Sequence, residues 1–301
     1  MTMTMPRGTI TVACDPPHDE DSVMNIAFLL LLLPGQVPIN PSAPPAAEQP
    51  DNQAEADEAR AVAKKLAGEY VFRLDKGTGI ELRREPEPVF RWLLQLDRRF
   101  YSDVYVWTHE GRPEVVAAIT NVYGQRRAME TEIHSLSAGL PFLTHNEKVV
   151  WEPERPGVEL KPVPDAPKPG PTATSRLKQM RTLSAEYSVT AQYGDSKEQL
   201  RLLPAPIYRY ASEKQGVTDG ALFAFARGTD PDVFLMFEAR KGDGGGEWCH
   251  AFARFVGHAS LRAMRDDREV WQVDAIPAKL NTDPKEPYIG LRMYSNFPVV
   301  K

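Results

Sequence analysis

The chain has 301 residues, with 36 Lys plus Arg against 41 Asp plus Glu and a net charge of −5. That balance lacks the basic excess a nucleic-acid surface needs to displace counterions, so nucleic acid is not an expected partner. Two cysteines, Cys14 and Cys249, cannot build a disulfide framework once the N-terminus is removed, and the length suits about two domains of roughly 150 residues.

Residues 26–33, "IAFLLLLL", form an apolar block too short to span a bilayer but of the size of a signal-peptide core. Upstream lies the acidic stretch "DPPHDEDS", which does not suit the start of a signal. Reading from Met24 instead gives a short start, the apolar block and a small, polar region ending near Ala46 or Ala47. The expectation is therefore translation from Met24, with 1–47 holding the false start and signal, export to the periplasm or beyond, and no membrane span after cleavage. The alternative is a short buried helix opening a cytoplasmic protein. Residues 48–55 are expected to be a linker, because 34–55 are rich in Pro, Ala, Asn and Gln without apolar periodicity.

Ala59, Val62, Ala63, Leu66 and Tyr70 recur at helical spacing, with acids early and lysines late, which predicts an amphipathic helix. Aromatic or alternating runs follow at "EPVFRWLL", "SDVYVWTH", "EVVAAITNVY", "AMETEIHSLS" and "KVVWEP", separated by Gly, Pro and Asp turns. They read as about five antiparallel strands in meander order. Cys249, in the strand-like run "WCHAFARF", reads as a small core residue.

The same pattern occurs again 118 residues later. Leu82, Arg83, Pro86, Pro88, Arg91, Pro113 and Val115 meet identical residues at Leu200, Arg201, Pro204, Pro206, Arg209, Pro231 and Val233, without a gap. The helix recurs too, with Leu177, Met180, Leu183 or Ser184, and Tyr187 on one stripe and Thr174 or Ser175 as its expected N-cap. The predicted fold class is thus α+β, a tandem duplication with units at 56–153 and 174–273. Between them, 154–173 is proline-rich and reads as an extended spacer. The tail, 274–301, holds "PYIGLRMY", an expected extra edge strand.

Candidate chemistry is sparse. No histidines or cysteines stand at metal-ligand spacing, so no metal or cofactor is expected. "KGDGGGE" lacks the Lys-Ser/Thr of a phosphate loop and reads as a flexible hairpin. Glu130, Glu132 and His134 alternate onto one strand face and are the candidate binding residues, with Glu132 and His134 as candidate acid/base groups. The competing reading is a solvated polar sheet face. Arg91 with Glu114, and Arg209 with Asp232, are expected to be strand-to-strand ion pairs holding the scaffold. Trp151 and Trp271, which end their units equivalently in "VVWEP" and "EVWQV", are expected core residues.

The combination of "PVFRW", "DVYVWTHEGRPEVVAAI", "EIHSL", "QMRTLSAEY", "LRLLPAPIYRY" and "DGALFAFARGTDP" resembles a family of exported planctomycete proteins of unknown function. The resemblance implies export and a two-part mature chain over roughly residues 55 to 273, and it carries no catalytic residue. The functional expectation is a non-catalytic exported binding or envelope-associated protein whose two units form a cleft for a ligand or partner. The alternative is a hydrolase working through Glu132 and His134.

Overall fold

The computed structural model describes residues 50–294, apart from residue 126 and residues 243–245. The Met24 start, the 26–33 block, Cys14 and the centre of the Gly-rich loop lie outside the described residues. Among the described residues no helix is long and apolar enough to cross a membrane.

Helix α1 (Pro50–Glu69) leads into β1 (Val71–Leu74), the short β2 (Ile80–Glu81) and β3 (Arg83–Arg84), and β4 (Phe90–Gln95). The long hairpin β5 (Arg99–His109) and β6 (Arg112–Tyr123) follows, then β7 (Ala128–Ser135), β8 (Pro141–His145) and β9 (Lys148–Trp151). After β10 (Lys161–Pro162) come α2 (Ala173–Ser184), β11 (Tyr187–Tyr193), β12 (Ser196–Leu202) and β13 (Tyr208–Ser212). A second long hairpin, β14 (Val217–Arg227) and β15 (Asp230–Arg240), precedes β16 (Glu247–Arg254), β17 (Ser260–Arg265), β18 (Arg268–Val273) and β19 (Tyr288–Tyr294).

The protein is therefore mostly antiparallel sheet with two α-helices. Each half holds more strands than the five expected, and they are not a simple meander. β1 pairs with β8, and β11 with β17, each across most of its half. Some of the strands missed, β1, β2 and β3, are too short to show a period of two, but β8, β11, β12 and β17 run to between five and seven residues and were missed as well. α1 also begins inside the expected linker: Pro50 takes the first helical position, where its missing N–H costs nothing. Glu55 is then held by Arg99 through two bonds of 2.6 and 2.7 Å. On α2 the N-cap is Thr172, and Ser175 is its capping-box partner.

The pairing order recurs between the halves. β5 pairs with β3, β4 and β6, and β6 with β7; β14 pairs with β12, β13 and β15, and β15 with β16. Trp107 faces Val115, and a bulge then sets Thr108 against Pro113. Phe225 faces Val233, and a bulge sets Ala226 against Pro231. Leu143 faces Trp151 as Ala263 faces Trp271. The closing hairpins turn on Asn146–Glu147 and Asp266–Asp267, all four at positive φ, which suits the two-residue turn of a twisted hairpin.

Three cores result. Tyr105, Trp107, Val115, Ala117 and Ile119 pack under α1 and the small β2–β1–β8–β9 sheet. Phe223, Phe225, Val233, Leu235 and Phe237 pack beneath α2. The opposite faces of the same strands meet each other, with Val104, Val106, Val116 and Ala118 in one cluster with Leu222, Ala224, Phe234 and Met236. Strands buried on both faces explain the near-continuous apolar runs of the two long hairpins. The two halves are therefore packed, not merely tethered. The proline-rich connector joins the packing too, since Val158 enters the shared core and Val163 the C-terminal one. β10 adds to the edge of β16, so 154–173 is built into the sheet instead of serving as a free spacer. Cys249 is free and buried.

Candidate functional site

The interface between the two large sheets ends differently at its two extremities. At one end the start of β6 meets the end of β15. Arg112 donates to Glu238 at 2.6 Å and to Glu114 at 2.9 Å, and the Tyr210 hydroxyl donates to Glu238 at 2.9 Å. Arg240 holds the other Glu238 oxygen, and Gln215 donates to the His109 carbonyl at 2.8 Å and to Glu114 at 3.2 Å. Two guanidinium groups and two carboxylates thus neutralise one another, with Arg112 3% and Glu238 0% exposed.

At the other end, where β6 finishes and β15 begins, the sheets enclose a cavity of about 590 Å³. Glu130 and Glu132 reach it from β7, Asp230 and Asp232 from β15, and Tyr193, Arg227, His258 and Tyr288 complete its polar wall. Trp92, Leu94, Phe100, Phe255 and Val256 form an apolar side. Tyr288 donates its hydroxyl to Glu132, and Tyr193 donates to Asp232. Arg227 is committed to Glu198, through bonds of 2.9 and 2.7 Å, while lying over the Tyr193 ring.

Removal from water raises the carboxyl groups here. Glu132 is pushed up to about 7 by burial, against the Tyr288 hydrogen bond, with Asp232 and Glu130 adding to the rise. Asp232 is pushed up to about 6 by burial, partly offset by Tyr193 and Arg227. Asp230 stands well above the usual carboxylate range through burial and the nearby Glu132 and Asp232. A group raised in the folded state stabilises the protein below its unfolded value and loses that contribution as pH climbs through the folded value. Glu132→Gln is therefore expected to gain on wild type by on the order of 1–3 kcal/mol between pH 5 and pH 8. Urea unfolding of both proteins at the two pH values measures this, and a difference that stays flat would contradict it.

His134 does not join Glu132. Tyr288 lies opposite His134 in the β19–β7 register and extends its hydroxyl to Glu132, which partitions the two. His134 faces a separate cavity of about 270 Å³, with His250, Phe252, Arg254 and Trp271. Its Nδ1 is 2.7 Å from the Ser135 carbonyl, and burial lowers its pKa to about 4, so it is neutral at ordinary pH. The expected Glu132–His134 acid/base pair is thus not assembled, whereas Glu130 and Glu132 do reach one cavity. Sharing a strand face puts side chains on one side without saying which neighbour stands between them.

The expected ion pairs are also redrawn. Arg91 meets Asp103 at 3.2 Å and Arg209 meets Asp219 at 2.6 Å, while Glu114 is taken by Arg112 and Asp232 by Tyr193. β4 and β13 pair with β5 and β14, so each arginine is a full strand away from the acid proposed for it. Trp151 is wholly buried, but Trp271 is only half-buried beside the smaller cavity.

Asp230, Tyr193, Tyr288, Arg112 and Glu238 escaped sequence reasoning. Their one trace was in the 118-residue match itself, where Arg112 falls on Asp230 and Thr120 on Glu238, two changes of charge amid otherwise similar residues. Among the described residues no group of three His, Cys, Asp or Glu side chains converges as a metal site. Comparison of the chain with protein-family models, with curated proteins and with solved structures finds no match.

Proposed function

We propose that the chain is a tandem duplication of one helix-and-sheet unit and acts as an exported or envelope-associated binding protein, its ligand held between the two units. The observation that carries this reading is the 590 Å³ cavity, walled by carboxylates from both halves and by aromatic side chains. Its volume falls within the usual range of small-molecule sites. Its four carboxylates stand on the paired strands β7 and β15, which hold a binding geometry more firmly than loops do. The shared registers, bulges and turn positions support the duplication. The hydrolase alternative loses its acid/base pair, since Glu132 and His134 face different cavities.

A thermal-shift screen of the mature chain against a small-molecule pool tests the reading. A ligand at 100 times its Kd stabilises the native state by roughly 2.7 kcal/mol. Leu94→Trp, which fills the cavity from its β4 wall, is expected to abolish the shift produced by any hit. A shift of equal size in that variant would place the ligand elsewhere and overturn the proposal.

A further inference from the structure

The two ends of the interface are related by the same 118-residue offset that relates the halves. The buried positions 104, 106, 116 and 118 map onto 222, 224, 234 and 236, and both sets pack in the shared core. Backbone bonds follow nearly the same relation, the donors one residue out of step: Leu136 N–H donates to the Glu114 carbonyl at 2.7 Å, and Phe255 N–H to the Asp232 carbonyl at 2.7 Å. Like patches therefore face each other, as in an isologous dimer interface. The closed network at one end accordingly has a counterpart at the other, position by position. Glu114 corresponds to Asp232, Arg112 to Asp230, Glu238 to Thr120 and Tyr210 to Trp92. Asp232, Asp230, Thr120 and Trp92 all line the open cavity.

Taken together the substitutions leave the open end more negative: Arg112 is replaced by Asp230, and the loss of one carboxylate at Thr120 only partly offsets it. Where the closed end has a guanidinium, the open end has a carboxylate. The Asp230 side chain has no hydrogen-bond or ion-pair partner among the described residues, and its surroundings are desolvated. Asp232 and Glu132 each hold a single neutral donor, a tyrosine hydroxyl. Asn281, on the same wall, has a wholly buried Oδ1 without a donor. The deficits at Asp230 and Asn281 are a missing positive charge and a missing donor, while the buried Trp92 indole N–H on the apolar side lacks an acceptor. At the mirrored end the equivalent of Asp232 accepts from a guanidinium at 2.9 Å.

Resting on the cleft reading above, we infer that the ligand is a small organic cation, with a guanidinium, amidinium or primary ammonium head and an apolar body. The head would occupy the place that Arg112 fills at the closed end, among Asp230, Asp232 and Glu132. The body would lie along Trp92, Phe100 and Phe255. An inorganic cation fits less well, because no three ligating side chains converge among the described residues.

Calorimetric titration of the mature chain with benzamidine and agmatine, against benzamide and benzoate as neutral and anionic controls, tests the assignment. Both cations are expected to bind at pH 8, and the controls at least tenfold more weakly. At pH 5 benzamidine stays charged while Glu132 and Asp232 hold protons, so its affinity is expected to fall at least tenfold. Asp230→Asn is expected to weaken both cations at least tenfold without lowering the melting temperature of the free protein, because it removes a charge from among carboxylates. Asp230→Arg, which supplies the guanidinium internally, is expected to abolish binding and raise the melting temperature. Benzamide binding as tightly as benzamidine, or unchanged affinity in Asp230→Asn, overturns the cation assignment, as does failure of both cations to bind. In those cases a pool hit that Leu94→Trp abolishes leaves the cleft reading standing. Cation binding that persists in Leu94→Trp overturns both.

Discussion

Arg112→Ala is expected to destabilise the protein by about 3–5 kcal/mol, because it leaves buried Glu114 without a cation and Glu238 with Arg240 alone. Arg112 bridges Glu238 and Glu114 and also donates to the Leu136 carbonyl at 3.2 Å. It sits between β6 of one half and β15 of the other, so the loss falls on the contact that joins them. Glu238→Ala is expected to cost a similar amount, since it strands Arg112 and Arg240 and removes the acceptor of Tyr210. The two losses should not add, because each variant breaks the same network. A triple replacement by apolar residues, Arg112→Met with Glu114→Leu and Glu238→Leu, is expected to recover most of the stability. Taking the buried charges of both signs out of a protein interior relieves the desolvation that their attraction only just repays. Urea unfolding at pH 7 measures all four proteins, and a loss below about 1 kcal/mol in Arg112→Ala would show that the network contributes little.

Trp151→Ala is expected to cost about 3–5 kcal/mol, in the range of large aromatic truncations in a core. The ring is wholly buried, meets Phe72 edge-on at 6.0 Å and faces Leu143 across the β8–β9 hairpin. Its indole N–H donates to the Glu286 carbonyl at 2.8 Å, which ties the C-terminal segment to the first half. Truncation therefore opens a cavity and orphans a backbone acceptor together. Trp271→Ala is expected to cost about 1 kcal/mol, although the two tryptophans are equivalent in sequence. Trp271 is half-buried and stacks on Phe252 at 5.4 Å, next to space already open. Its removal enlarges an existing cavity instead of creating one, and the exposed fraction was never taken from water. Equal losses in the two variants would mean that position in the hairpin, not burial, sets the cost.

These two tryptophans mark how far the chain's local pattern reaches. Alternation along "DVYVWTHEGRPEVV" placed Val104 and Val106 on one face and Tyr105 and Trp107 on the other, and Pro113 and Pro231 marked the bulged hairpins at matching positions. Strand, turn and register are short-range properties, governed by a period of two and by the backbone preferences of a few residues. They were legible for that reason, together with the recurrence of the pattern at 118 residues. The short β1, β2 and β3 were not, since two to four residues carry no period.

Which element covers each face is a different kind of question. The face holding Val104 and Val116 could meet water, a helix or another sheet, and only packing against Leu222 and Phe234 decided among these. The same holds for the site. Glu132 and Asp232 lie 100 residues apart, and the charge of Asp230 gained its meaning when the chain closed and set it opposite the neutralised Arg112 end. Asp230 and Thr120 are ordinary residues on ordinary strands when read singly. Sequence alone determined the long antiparallel strands, their turns and the recurrence of residue types at 118 positions. Tertiary structure alone decided that two hairpins bury both faces, that Tyr288 separates Glu132 from His134, and that one end of the interface is closed by charge while the other stays open. The physical reason is that side-chain direction follows from the local backbone, whereas desolvation and charge compensation depend on groups brought together from distant parts of the chain.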